Sequence, residues 1–227
     1  MINRIIAEKA QLLSTKFPIV ALTGPRQSGK STLVKNLFSD KPYVSLEDPD
    51  VQLIAQTDPR GFLLNYPNGA ILDEIQRVPS LFSYLQTIVD AQDKTGLFIL
   101  SGSQNFLLMQ NISQSLAGRV ALLRLLPFSY EELRMTEFKD LSTDAWLFQG
   151  FYPRLYDKKI EPEDYYPNYI KTYLERDVRS LKNINDLSLF NRFMKFCAAD
   201  YNVNVIIRNA SITTNQFIYY DKYNLFS

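Results

Sequence analysis

The sequence contains no histidine, and its 227 residues include a single cysteine. Without imidazole there can be no Ser-His-Asp or Cys-His catalytic set and no histidine-ligated zinc. One thiol can neither close an intramolecular disulfide nor build a thiolate zinc cluster. That thiol, Cys197, stands beside the apolar Phe193, Met194 and Phe196 and reads as a small buried hydrophobe. No apolar run approaches the roughly 18 residues of a membrane-spanning helix. The N-terminus also lacks the basic segment and apolar core of a secretory leader. A soluble, cytoplasmic chain with no membrane partner is therefore expected. An excess of one charge is missing too. Lysine and arginine number 25, aspartate and glutamate 24, and the net charge is +1. No whole-molecule field for a polyanion follows, although a local basic patch is compatible with that balance. No internal repeat is found.

Apolar residues make up 46% of the chain, enough for a filled core and too many for disorder. The length allows one large domain, or a core with a smaller companion. The most informative stretch is Gly24-Pro25-Arg26-Gln27-Ser28-Gly29-Lys30-Ser31-Thr32. It fits the phosphate-loop pattern G-x-x-x-x-G-K-[ST] at every fixed position. Glycines let the backbone bend closely around an anion, and the following amides open a helix N-terminus toward it. Lys30 can reach the β- and γ-phosphates, and the Ser31 hydroxyl can ligate Mg²⁺. The flanks agree with the motif. Ile19 to Leu22 is a short, wholly apolar run, as a strand buried on both faces should be, and Leu33, Val34, Leu37 and Phe38 recur at helical spacing.

Residues 2–14 suggest an amphipathic lead helix carrying Ile5, Ile6, Leu12 and Leu13. After the phosphate loop, Tyr43 to Leu46 reads as a strand and residues 50–57 as a short helix. Asp58-Pro59-Arg60-Gly61 reads as a turn. Ala70-Ile71-Leu72-Asp73-Glu74 is an apolar strand ending in two acids. Beside the loop it would bring Asp73 to the Mg²⁺ and place Glu74 to polarise an attacking water. A helix is expected over 79–91 and a strand over 97–100. Ser101-Gly102-Ser103-Gln104-Asn105 would then face the crevice and could sense a γ-phosphate, or simply cap a helix. A helix over 107–116 and a last strand from Val120 to Leu126 complete an alternation that yields a parallel sheet with helices on both faces. Beyond it, Phe128 to Leu133 looks like a capped helix start, Trp146 to Phe148 like a short helix, and the proline-bearing 151–167 like loop. Further helices are read at 169–179 and 187–199, and strands at 203–207 and 217–220.

The loop, Leu72-Asp73-Glu74, Ser101-Gly102-Ser103, Ser115-Leu116-Ala117-Gly118-Arg119 and Tyr173-Leu174-Glu175-Arg176-Asp177-Val178 occur in an order that resembles a family of prokaryotic AAA+ ATPases. In that family a C-terminal domain of unknown function follows the ATPase. The likeness covers about residues 1–198. It implies an α/β, P-loop NTPase fold: a three-layer, five-stranded parallel sheet with a C-terminal helical lid. It implies a nucleotide-binding core over 1–128 and a lid region over 129–198. Lys30, Ser31, Thr32 and Asp73 would form the ATP and Mg²⁺ site, Glu74 the catalytic acid, and Ser103 would stand near the sensor position. Arg119 would be an arginine finger, which implies a homo-oligomer, or a sensor in its own subunit. Residues 199–227 depart from the likeness. Their Asn, Tyr, Ile and Phe are what AT-rich codons encode, so a truncated or frame-shifted ending is one expectation and a short β-rich ending the other. Three activities compete: Mg-ATP hydrolysis coupled to conformational change, a nucleotide-dependent switch with little turnover, and a small-molecule kinase. The Asp73-Glu74 pair supplies a water-activating acid and no acceptor site is evident, which disfavours the kinase. A GTPase is disfavoured by the absence of an Asn-Lys-x-Asp motif.

Overall fold

The short apolar runs become the strands of one sheet. In the computed structural model, which describes residues 2–103, 112, 114–174, 189, 190, 192 and 196, these are β1 (Ile19–Gly24), β2 (Tyr43–Ser45), β3 (Ile71–Asp73), β4 (Phe98–Ser103) and β5 (Val120–Arg124). Their order is β2-β3-β4-β1-β5, and every pairing is parallel. Parallel strands need crossovers, and helices supply them: α2 (Lys30–Leu37) between β1 and β2, α3 (Pro49–Thr57) and α4 (Pro59–Leu64) between β2 and β3, and α5 (Leu81–Gln92) between β3 and β4, while α1 (Ile6–Ser14) precedes β1.

Side chains alternate across the sheet, yet both faces are apolar because both are covered. Ile19, Ala21, Val44, Leu72, Phe98 and Leu100 pack with Leu81, Phe82 and Leu85 of α5. Val20, Leu22, Ile71, Ile99, Ala121 and Leu123 pack on the opposite side with Ala10 of α1 and Leu33 and Val34 of α2. This double burial is why the strands read as continuous runs rather than alternating ones.

Several local readings change. The lead helix presents Ile6, Ala7, Ala10 and Leu13 to the core, while Ile5 and Leu12 are exposed. Asp58-Pro59-Arg60-Gly61 starts α4 instead of forming a free turn. The Asp58 carboxylate accepts the Gly61 N–H at 2.8 Å, and Pro59 occupies the first helical position, where its missing N–H costs nothing. The same device overturns the loop reading of 151–167. Pro153 opens α8 (Pro153–Asp157) and Pro162 opens α9 (Pro162–Tyr169), following α6 (Tyr130–Arg134) and α7 (Thr143–Gln149). Ser101, Gly102 and Ser103 are strand residues within β4, and Gln104 and Asn105 lie outside the described residues.

The chain forms two compact units, Met1–Ile160 and Glu161–Ser227. The first holds the sheet and α6–α8, whose aromatic residues gather around Tyr156. Phe128 and Phe138 meet its ring edge-on, and Trp146 stacks on Phe151. In the second, Pro167 lies inside α9 and cannot donate to the preceding turn. The winding widens to a π-helical turn at Ile170–Leu174. The helix and strand readings at 175–179, 203–207 and 217–220, Cys197, and most of 107–116 and 187–199 lie outside the described residues.

Candidate functional site

Because all strands run parallel, their C-terminal ends emerge along one edge of the sheet, where open α/β sheets hold ligands. Register fixes which residues meet there. Gly24 is level with Ser103, and Asp73 is level with Ser101. The phosphate loop, the two acids and the serine-rich end of β4 are thereby brought together.

The loop is held in shape by its glycines and one left-handed residue. Gly24 has φ +149°, and a Cβ there would stand 2.0 Å from the Leu125 carbonyl oxygen. Its glycine is required by the close passage of the chain after β5, where the Leu125 N–H donates to Thr23 O at 2.7 Å. Gln27 (φ 60°) and Gly29 (φ 92°) are left-handed, an alternation that turns successive amides toward one point. Gly29 is the N-cap of α2 and, having no side chain, offers no cap to the first-turn amides. Ser28 is fully buried, and its hydroxyl has no hydrogen-bond partner among the described residues. The buried Lys30 ammonium donates to the carbonyl oxygens of Gly24 at 3.0 Å and of Pro25 at 2.8 Å. Arg26 and Gln27 are half-buried on the outer part of the loop.

Asp73 is 5% exposed and accepts four hydrogen bonds. The Ser31 hydroxyl (2.7 Å) and the Tyr43 hydroxyl (2.5 Å) donate to Oδ2. The Ser101 hydroxyl (2.5 Å) and the Glu74 N–H (3.1 Å) donate to Oδ1. Tyr43 escaped the sequence reading, which saw it as the first residue of a strand. Burial, and then the hydrogen bond and charge of Asp73, push its phenol well above its ordinary value, so it remains a donor. The Lys35 ammonium lies 3.6 Å from its ring centre.

Glu74 is half-buried and left-handed (φ 55°), and it starts a 3₁₀ turn at Ile75–Arg77. That reversal returns Gln76 alongside Glu74. Gln76 Nε2 donates to Glu74 Oε2 and, at 3.2 Å, to Ser103 Oγ. The Ser103 N–H donates to the same Glu74 oxygen at 3.4 Å.

A second set of residues invisible to sequence motifs braces the loop from behind. Arg4 Nη1 donates to Ser28 O at 2.9 Å, and Nη2 donates to Leu126 O and Pro127 O at 2.6 and 3.1 Å. Its Nε faces both oxygens of Glu132 at 3.1 Å, with the Phe128 ring below the guanidinium. Burial lowers the Arg4 pKa, and the charge and hydrogen bonds of Glu132 oppose that. Glu132 also closes the capping box of α6 with Ser129 and accepts the Ile5 N–H at 2.8 Å.

Arg119 stands apart. It immediately precedes β5, and its carbonyl accepts the Ile19 N–H at 3.2 Å, which sets it at the N-terminal edge of the sheet. Gly24 lies five residues further along β1, about 17 Å at the usual rise of a strand. The Arg119 side chain forms a two-pronged bond with Asp90, Nε to Oδ1 at 2.5 Å and Nη2 to Oδ2 at 2.9 Å. That bond holds the Asp90 carboxyl below its usual range. Among the described residues no cluster of three acids, histidines or cysteines could hold a metal. No helix among them is long and apolar enough to cross a membrane.

A family model described as "AAA domain" matches residues 16–134, and one described as a domain of unknown function matches residues 140–220. An uncharacterized protein of Mycobacterium bovis and one of Mycobacterium tuberculosis are each 33% identical over 170 residues, which is 72% of this chain and 37% of theirs. The chain thus spans little more than a third of the length of these relatives. Among solved structures, AMPPCP-bound DnaA from Aquifex aeolicus has a TM-score of 0.46 at 14% identity, covering 86% of this chain and 68% of that one. A Walker-type ATPase of Pyrococcus abyssi has a TM-score of 0.45 at 15% identity, covering 88% and 77%.

Proposed function

The chain belongs to the AAA domain family of nucleotide-binding P-loop ATPases, and from that premise we propose that it binds Mg-ATP at the Gly24–Thr32 loop and hydrolyses it to drive a conformational change. The observation that carries this reading is the convergence of Lys30, Ser31, Asp73, Glu74 and Ser103 at one edge of a parallel sheet.

The residues present suit the nucleotide. Among the described residues the Ser28 hydroxyl is buried without a partner, the glycine N-cap of α2 offers its first turn no side-chain cap, and the Lys30 ammonium leans on two backbone carbonyls. Phosphate oxygens would satisfy all three kinds of donor with charge-assisted bonds. The donor set also suits Mg²⁺. One carboxylate and one hydroxyl are what a magnesium site contributes when phosphates and water complete the shell. Ser31 and Asp73 would hold it, and bound there the ion supplies Lewis-acid charge to the phosphate oxygens.

The protein's own groups then divide the work. The loop amides and Pro25-Arg26-Gln27 wrap the phosphates and exclude water from them. Lys30 exchanges the Gly24 and Pro25 carbonyls for phosphate oxygens, where charge grows as the bond to the leaving group breaks. Tyr43 and Ser101 keep Asp73 from turning. Glu74 takes a proton from the attacking water, and Ser103, level with Gly24, contacts the γ-phosphate end.

Glu74→Gln tests the reading. Shape and nucleotide affinity should be retained, and turnover should fall by at least about a hundredfold, within the usual worth of general-base help. Unchanged turnover in the purified variant would show that Glu74 is not the base.

A further inference from the structure

Gln76 carries an unexplained atom. Its Nε2 is committed to Glu74 Oε2 and Ser103 Oγ, yet its Oε1 is buried with no partner among the described residues. The orientation of the amide follows from its neighbours. Turning it over would set Oε1 against a carboxylate oxygen, two acceptors face to face. A buried acceptor without a donor is rare enough in a folded protein to require a reason. Here the reason lies nearby. Oε1 shares one planar amide with the nitrogen that grips Glu74, which sets two acceptors, Oε1 and the Glu74 carboxylate, side by side. Ser103, the third member of the triangle, is level with Gly24 of the phosphate loop. The left-handed Glu74 and the 3₁₀ turn after it bring residue 76 back to this place.

Resting on the hydrolytic reading above, we propose that Gln76 completes the water site: Nε2 fixes the Glu74 carboxylate, and Oε1 accepts a hydrogen bond from the water that Glu74 activates. The water's second proton passes to Glu74 as its oxygen attacks phosphorus, and the bond to the leaving phosphate oxygen breaks. Gln76 itself neither gains nor loses a proton.

Gln76→Met, equal in length and without donor or acceptor, is the test. Mg-ATP and Mg-ADP affinities should stay within about twofold of wild type, while kcat falls about 10–100-fold, the scale of a misplaced reacting group. A second readout does not depend on turnover. Affinity for Mg-ADP with aluminium fluoride, which mimics the transferring phosphoryl with its water in place, should fall by a similar factor while that for Mg-ADP does not. In a Glu74→Gln background, adding Gln76→Met should change residual turnover by less than about twofold, since both act on one water. A purely structural glutamine would instead lower nucleotide affinity and melting temperature together, and that outcome overturns the proposal. So does unchanged kcat in Gln76→Met. An inactive Glu74→Gln beside a fully active Gln76→Met would remove this inference alone. A Glu74→Gln variant as active as wild type would remove the underlying reading with it. If wild type binds nucleotide without turnover, the aluminium fluoride comparison still decides.

Discussion

Asp73 is buried and accepts four hydrogen bonds, so no direction remains in which its carboxylate can turn. Each donor has a testable share. Tyr43→Phe removes one bond to a buried carboxylate, worth about 1.5–3 kcal/mol for a charged partner. The Mg²⁺ concentration that half-saturates nucleotide-dependent activity should rise several-fold, because Asp73 Oδ2 then loses a fixed orientation. A magnesium titration unchanged by the substitution would assign Tyr43 to packing alone. The pH dependence has a definite sign. The folded phenol titrates above its ordinary 10.0, so this contact contributes fully below pH 10 and is lost as pH rises beyond that. Urea denaturation of wild type and Tyr43→Phe at pH 7 and pH 10.5 would check this: the stability difference between them should shrink at the higher pH, and an unchanged difference would refute it. At the loop, Lys30→Ala removes the cation that the proposed function assigns to the phosphates. Calorimetry should find nucleotide binding abolished or severely weakened, and an affinity within about twofold of wild type would refute the loop assignment.

Elements are locked to one another by contacts that few residues make. The passage of Leu125 across Gly24 leaves no room for a Cβ, with the carbonyl oxygen 2.0 Å from where it would stand. The Arg4–Glu132 pair does more. It joins the segment before α1 to α6 and, through Ser28 O, to the phosphate loop. Both side chains are less than 10% exposed, at 8% and 5%. Removing one partner of such a pair leaves the other charged, buried and unpaired, at a cost of about 3–5 kcal/mol. Arg4→Met should therefore lower the denaturation midpoint strongly and weaken nucleotide binding as the loop loosens. Arg4→Met with Glu132→Leu should be less destabilised than Arg4→Met alone. A thermal or urea series in which the losses simply add would show that the two residues do not act as a pair.

At the scale of the whole molecule, the site opens at one edge of the sheet and Arg119 sits at the other, half-buried and bonded to the exposed Asp90. An exposed ion pair of this kind contributes little to stability, so it can be exchanged for another acid or phosphate at small cost. Our proposal is that Arg119 serves the site of a neighbouring copy, and that assembly is then part of the catalytic cycle. An arginine supplied in trans is worth about 10³–10⁵ in turnover in phosphoryl transfer. Specific activity should rise with protein concentration. Arg119→Ala mixed with Glu74→Gln should recover part of the activity that each lacks alone. Constant specific activity of a monomer across the concentration range would end this reading and leave the nucleotide site standing.

Nine consecutive residues, Gly24 to Thr32, were legible in the sequence because a phosphate loop is built from local backbone geometry. The strands were legible too, since burial on both faces leaves uninterrupted apolar runs such as Ile19–Leu22. Asp73 and Glu74 could be read because a parallel sheet delivers strand ends to one edge. What the sequence could not display is whatever depends on distance along the chain. Arg4 meets Glu132 across 128 residues and Tyr43 meets Asp73 across 30, and no periodicity encodes either pair. Prolines at 59, 153 and 162 read as breaks, although a proline suits the first turn of a helix as well as a loop. Sequence alone thus determined the phosphate-loop motif and the α/β class, both set by local pattern. Only the tertiary structure decided which side chains fix Asp73, that Gln76 and Ser103 meet Glu74, and that Arg119 sits at the far edge of the sheet from its own loop, because strand register and the turn after β3 set those relations.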